Sequence, residues 1–393
     1  MAEARSAARL ASLGRFHAAL GLLAPSLRRR LPPLDAFYDF VADQDLLVDN
    51  PRHPSLTPAE SAKARKALGR LEPGPVKDAL SAYALICARR YAPAAALAAK
   101  ARVPLLEACA IWLRGDEARS KRWLPRALER ANLAVALSPS RESLLLRAQI
   151  LFELEDNARG LKDLALLLRR DPGDAAVRIG RSEILADLYR YRPALRELER
   201  ARGGAPAAWW FYAQRGRLRG MCGRSAGALK DFDEALRRRP KNGALRAWRA
   251  EVLRQLGRFD ECRRELDLAV KQAPDYAFAW ECRGRLKLMK GEPASALSDL
   301  ERACRLDPAH TLAFAWRGEA RLRLGRLRGA RQDFDRVHPF EPINFWNADD
   351  AVEGTTPSRE SRRASYWRVL DAAAASGGAL GRLLRDRARR SAS

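Results

Sequence analysis

A chain of 393 residues that is 47% hydrophobic and 31% charged has ample material for a buried core and a solvated surface. The formal charge is +25, but 62 of the basic residues are arginine and only 11 lysine, a bias that a GC-rich genome produces by itself; weak attraction to polyanions follows from such a charge. No run of about 18 apolar residues is present to cross a bilayer, and six scattered cysteines without a C-x-x-C pair read as small buried residues of a reducing compartment, so the cytoplasm is the expected location.

Taken in chain order, MAEARSAARLASLGRFHAAL predicts an amphipathic helix without the apolar core of a signal peptide. Gly14, Phe16 and Ala19 suit an initial helical hairpin. Leu34–Pro58 is acidic and proline-containing, an irregular connection, and TPAE at Thr57–Glu60 is a capping box with proline at the first helical position. These features define an N-terminal helical region over 1–74. Tyr91, Ala94, Ala98 and Ala101, then Ala127, Ala134 and Pro139, mark two degenerate hairpins over 75–140.

From residue 141 a strict period takes over. Pro172, Pro206, Pro240, Pro274, Pro308 and Pro342 stand 34 residues apart. Ala148, Ser182, Gly216, Ala250, Gly284 and Gly318 form a column of small residues, and Gly160, Ala194, Ala228, Cys262, Ala296 and Ala330 another. Leu164, Leu198, Phe232, Leu266, Leu300 and Phe334 form a bulky apolar column, and Gly223, Gly257, Gly291 and Gly325 fall between the small ones. Apolar residues at helical spacing on both sides of a glycine turn describe a helical hairpin whose small residues let its helices approach. One hairpin cannot bury its own apolar face, so stacking of successive units is obligatory.

These columns, with Ala201, Ala235, Ala269 and Ala303 closing the second helix, resemble the tetratricopeptide repeat over 141–344, in six repeats. The resemblance implies an all-α fold, a right-handed superhelical solenoid of about eight helical hairpins. After the repeats, 345–393 reads as a loop, a capping helix (ESRRASYWRVLDAAAA) and a basic tail.

Two charged columns share the period. Arg147, Arg181, Arg215, Arg249, Arg283 and Arg317 each precede the small residue, and Asp163, Glu197, Asp231, Glu265, Asp299 and Asp333 follow them by 16 residues. In an antiparallel hairpin the two columns lie at one height on facing helices, which predicts a partly buried ion pair in every repeat. Such pairs are neutral, so the net charge lies elsewhere, with +6 over 209–242 but only +1 in each of the next two units.

Motifs for chemistry are weak. GRSAG at Gly223–Gly227 matches a nucleophile elbow, but the elbow needs a strand before its serine, and here Gly223 and Ser225 occupy the turn columns. His17, His53, His310 and His338 share no metal-like spacing. RRAS at Arg362–Ser365 is a four-residue kinase-like match of the kind that arises by chance. No enzyme activity, metal or cofactor is expected.

The resemblance implies instead that first helices line a concave groove. The matching columns supply Trp210, Arg217 and Met221, then Arg254, then Phe278, Arg285 and Met289, then Glu319 and Arg323. Arginine and aromatic side chains dominate interface energetics, so the expected partner is a protein or an extended peptide with acidic and apolar residues. Some relatives hold chaperone C-termini through Lys and Asn, but the matching columns here hold Leu145, Ile179, Ala213, Ala247, Gln214 and Trp248, which disfavours that ligand. The expected function is a non-catalytic interaction scaffold. The alternative is an RNA- or polyanion-binding helical-repeat protein, in which the Trp209–Tyr212 run would stack on bases.

Overall fold

The computed structural model describes residues 2–12, 15–32, 55–118, 120–201 and 209–336. Gly14, the connection over 34–54 with His53, Pro206, Pro342, His338 and every expectation for 345–393 lie outside the described residues. Among the described residues there is no strand.

The helices are α1 (Ala2–Ser12), α2 (Phe16–Leu23), α3 (Pro58–Leu68), α4 (Pro75–Cys87), α5 (Tyr91–Lys100), α6 (Pro104–Glu117) and α7 (Leu124–Leu137). They continue as the pairs α8 (Arg141–Glu153) and α9 (Asn157–Arg170), α10 (Ala175–Asp187) and α11 (Tyr191–Ala201), and α12 (Trp209–Met221) and α13 (Ser225–Arg238). The last pairs are α14 (Gly243–Gln255) and α15 (Phe259–Gln272), α16 (Ala277–Met289) and α17 (Pro293–Leu306), and α18 (Thr311–Arg323) and α19 (Leu327–Arg336). The fold is an all-α tetratricopeptide-type repeat fold. The described residues divide into two compact units, the first holding those up to 188 and 196–201, the second 189–195 and 209–336.

In the first unit, Thr57 and Glu60 cap α3 reciprocally: the Glu60 amide donates to Thr57 Oγ1 at 3.2 Å, and the Thr57 amide to Glu60 Oε2 at 2.8 Å. Tyr83, fully buried in α4, stacks on Phe16 with ring centroids 6.2 Å apart and donates its hydroxyl to the Pro32 carbonyl. Burial pushes the thiol of Cys87, and that of Cys262 in the second unit, up to about 12, so these cysteines act as apolar packing groups. Trp112, also buried, donates to Glu153 at 2.7 Å.

Each later hairpin turns through one left-handed residue. Gly223, Gly257, Gly291 and Gly325 hold φ between +70° and +79°. The amide of the next residue bonds back across the turn, as Arg224 to Arg219 at 2.8 Å and Arg258 to Leu253 at 2.9 Å, closing carbonyls that the helix end would otherwise leave open. Beside the turn, the small column is a steric requirement. A Cβ on Gly284 would stand 2.6 Å from Leu300 Cγ, and one on Gly318 2.9 Å from the Phe334 ring. The closing prolines contribute carbonyls, since Arg246 donates to Pro240 and Trp280 to Pro274, at 2.9 and 3.0 Å.

The ion-pair columns face one another as two chemical types. Where the acid is aspartate, the arginine fork meets it with two bonds: 2.7 and 2.8 Å for Arg147–Asp163, 2.7 and 3.0 Å for Arg215–Asp231, and 2.8 Å twice for Arg283–Asp299. Arg317 meets both oxygens of Asp333 in the same way. Where the acid is glutamate, Arg181 and Arg249 reach it with single contacts of 3.3 Å. The extra methylene carries that carboxylate towards the arginine three residues earlier, Arg178 for Glu197 at 2.7 Å and Arg246 for Glu265 at 2.9 Å. Aspartates recruit a cation one turn later instead: Arg219 for Asp231, Lys287 for Asp299, Arg321 for Asp333.

Candidate interaction face of the second unit

In the second unit, the first helices α12, α14, α16 and α18 pack each against the next. The helical period therefore turns equivalent positions of all four towards one face. One column on it reads Arg217, Glu251, Arg285, Glu319, alternating in sign at 34-residue intervals. The alternation is used. Arg254 grips Glu251 with two bonds of 2.7 and 3.0 Å, Arg285 donates to the same carboxylate from the next repeat, and Arg323 donates to Glu319 at 2.7 Å.

Below this column lies a buried continuation. Glu281 is fully buried, with His310 Nε2 at 2.5 Å and Arg285 Nη1 at 3.8 Å. Burial alone would raise its carboxyl, but the His310 hydrogen bond and the charges of His310, Arg285 and Arg254 outweigh that and hold it below its ordinary range. Arg285 shows the converse. Its burial works against the charge, and Glu251 and Glu281 more than restore it, holding the guanidinium protonated. The chain Arg254–Glu251–Arg285–Glu281–His310 thus runs through two consecutive repeats to the start of α18, and pairing is what makes charges tolerable at this depth.

Aromatic side chains complete the face. Phe278 packs on Trp248 with ring centroids 4.5 Å apart, and the indole donates to the Tyr276 hydroxyl at 3.2 Å. The guanidinium of Arg217 lies over the Trp248 ring and that of Arg285 over Trp316, at 5.9 and 5.6 Å. Trp210 and Phe278 are half-buried, and Met289 and Arg323 are exposed.

Two residues expected to line a groove are corrected. Met221 is buried, whereas Met289 two repeats on is 50% exposed; an apolar side chain that finds cover is driven into it. Arg285 is also buried, between two carboxylates and an indole, so it belongs to the wall and presents no charge outward. Arg254, Glu319 and Arg323 lie on the face in paired form. Glu281 and His310 were not anticipated. Their one sequence signal is that Glu281 interrupts a column of alanines, Ala213, Ala247 and Ala315.

Ser225 opens α13 directly after a helix–turn, with no strand before it, and its hydroxyl faces Gln255 at 3.4 Å. No described helix is long and apolar enough to cross a membrane. Among the described residues no group of three or more His, Cys, Asp or Glu could hold a metal ion.

Two family models, both described as tetratricopeptide repeat, match residues 223–282 and 283–340. No curated protein sequence matches the chain. Among solved structures, a tetratricopeptide repeat protein from Parabacteroides merdae is similar with a TM-score of 0.50 and 18% identity, covering 65% of this chain and 97% of its own. YrrB, described as a TPR protein with an unusual peptide-binding site, matches at a TM-score of 0.38 and 20% identity, over 47% of this chain and 96% of its own. A thermophilic TPR protein of Thermus thermophilus matches at 0.39 and 20%, over 49% and 98%. At 18% identity the likeness to the Parabacteroides merdae protein speaks to the fold alone.

Proposed function

We propose that the chain, which matches tetratricopeptide-repeat models over 223–282 and 283–340, is a non-catalytic interaction scaffold that holds a peptide or partner protein on the first-helix face of its second unit. The observation that carries this reading is a row of incompletely buried aromatic and thioether side chains, Trp210, Phe278 and Met289, in columns where Ala244, Leu312 and Met221 are buried. Side chains of this kind gain most when a partner finishes their desolvation.

The same geometry weighs against a polyanion on this face. Arg254, Arg285 and Arg323 are matched by Glu251, Glu281 and Glu319, so they offer phosphate little uncompensated charge. The test is an in-cell crosslinking pull-down with the wild type beside a Trp210→Ala/Phe278→Ala double variant. Proteins crosslinked to the wild type should be lost, by about tenfold, from a double variant of unchanged helical circular dichroism. An identical set from both proteins would reject the face. Nuclease-sensitive capture that falls steeply with salt would favour RNA.

A further inference from the structure

The connection from α13 to α14 differs from its equivalents one and two repeats on. Residues 237–241 read Arg-Arg-Arg-Pro-Lys, where the end of α15 continues as Lys-Gln-Ala-Pro-Asp and that of α17 as Arg-Leu-Asp-Pro-Ala. The first stretch carries four cations, and each of the others one cation and one acid. A cation in the last turn of a helix answers the helix dipole, and Lys271 and Arg305 do that much in α15 and α17. Three further cations at the equivalent place go beyond it, and an arginine-rich composition acts on all three connections alike.

The carboxylates around this corner are already divided. Glu234 is shared by Arg237, at 2.8 and 3.0 Å, and Arg238. Asp233 is held by Arg249 of the next hairpin at 2.8 Å, and Asp231 lies between Arg215 and Arg219. Arg246 reaches back to the Pro240 carbonyl and takes Glu265, each at 2.9 Å. Asp275, exposed at the place of Lys241 one repeat on, forms no ion pair with it. Among the described residues, Arg239 and Lys241 are thus left without a carboxylate at ion-pair distance.

Two of the arginines rest on aromatic rings. The guanidinium of Arg238 lies 4.7 Å over Tyr212, and that of Arg239 5.8 Å over Trp209. Trp209 and Phe211 are buried, so the aromatic run does not offer itself to bases, and Trp209 backs a cation instead. A guanidinium held on a ring keeps its planar fork and loses little freedom on meeting a phosphate.

A polyanion with closely recurring charges fits such a corner. Each strand of a nucleic acid carries one charge about every 3.4 Å of axis, so one backbone meets several of these cations together. A bilayer surface rewards cations backed by an apolar face that can insert, and here Trp209 is buried and Tyr212 half-buried beneath Arg238.

We propose that Arg237, Arg238, Arg239 and Lys241 form a site for the phosphodiester backbone of a nucleic acid, bound without regard to base sequence. The site is built from the end of α13 and the connection after it. It holds whether or not a peptide uses the first-helix face.

The test follows fluorescence anisotropy of a labelled oligouridylate of about 20 nucleotides, and of a DNA duplex of about 20 base pairs, with the full chain at rising NaCl. Arg239→Gln/Lys241→Gln removes the two cations without a carboxylate. It should weaken the tighter-bound probe about tenfold and lower the slope of log affinity against log salt by about one to two. Lys271→Gln/Arg305→Gln removes as many exposed cations from the equivalent ends of α15 and α17, and should change affinity less than about twofold. The Trp210→Ala/Phe278→Ala variant should bind as the wild type does, which separates this site from the first-helix face. Circular dichroism checks the fold, and Lys241→Gln alone, at an exposed position, should still lose about threefold if the double variant unfolds. Equal losses in the two glutamine variants would show a diffuse effect of charge and overturn the site. Binding that ignores salt, or no binding of either probe at low salt, would overturn it too. Tighter binding to phosphatidylserine vesicles or to polyglutamate than to either nucleic acid would assign the corner to a membrane or an acidic protein, and would also overturn the proposal.

Discussion

The adjacent hairpins α12/α13 and α14/α15 follow one plan and differ by a methylene. Asp231 sits where the arginine fork can close on it, and Arg215 and Arg219 both do so, with side chains only 7% and 4% exposed for the central pair. Glu265 reaches farther and is shared between Arg246 and Arg249, all three side chains being 16–19% exposed. One motif in sequence is therefore a sealed pair in one hairpin and a wetter, redistributed one in the next. Side-chain length sets which arginine answers, and solvent access sets how much the answer stabilises.

The largest expected effect breaks the sealed pair. Asp231→Ala leaves the Arg215 charge buried without its carboxylate and should lower the unfolding free energy by about 3–5 kcal/mol. Glu265→Ala should cost only about 1–2 kcal/mol, because Arg249 keeps Asp233, and Arg246 keeps Gln272 and the Pro240 carbonyl. Urea denaturation of the two variants checks this, and equal midpoints would remove the distinction.

A smaller effect sharpens the comparison at the turns. Glu155 and Tyr189 hold φ of +63° and +58° in the column where the later hairpins have glycine. A left-handed non-glycine residue costs roughly 1–2 kcal/mol. A Cβ on Gly257 would touch nothing within 4 Å, so Gly257→Ala isolates that cost and should destabilise by about 1 kcal/mol. Glu155→Gly should stabilise by about 0.5–1 kcal/mol, the relief being reduced by the freer unfolded chain. Thermal melts of the two variants should move in opposite directions.

The last expectation is a slope. Glu281 is held below the value of 4.5 that it has in the unfolded chain, so its contribution is fully present above that pH and is lost as pH falls through the lower, folded value. Stability measured from pH 7 to 3 should fall less steeply in Glu281→Gln than in the wild type. Parallel curves would show that His310, Arg285 and Arg254 do not favour the ionised form.

Much of this was legible in the chain because repetition multiplies a weak signal. The columns of small, bulky and charged residues place paired helices, their turns and the facing acids, and Thr57 with Glu60 marks the start of α3. Features that occur once leave no such trace. The Glu281–His310 contact joins residues 29 apart that no other repeat reproduces. Met221 and Met289 occupy the same column with the same side chain, and their opposite burial is settled by surroundings that the column does not record. The left-handed turn likewise outlives its glycine at Glu155 and Tyr189, since geometry is kept where residue identity is not.

Arg249 and Arg283 each hold the acid of their own hairpin and also an aspartate of the preceding one, Asp233 at 2.8 Å and Asp267 at 3.2 Å. Those aspartates are more than half exposed, so each cross-link is individually weak. Their consequence is cooperative. A hairpin that frays takes a charge partner from its neighbour, which adds to the nearest-neighbour coupling of a linear array. Amide exchange across α12–α17 should then report shared opening events, with protection lost in blocks larger than one hairpin.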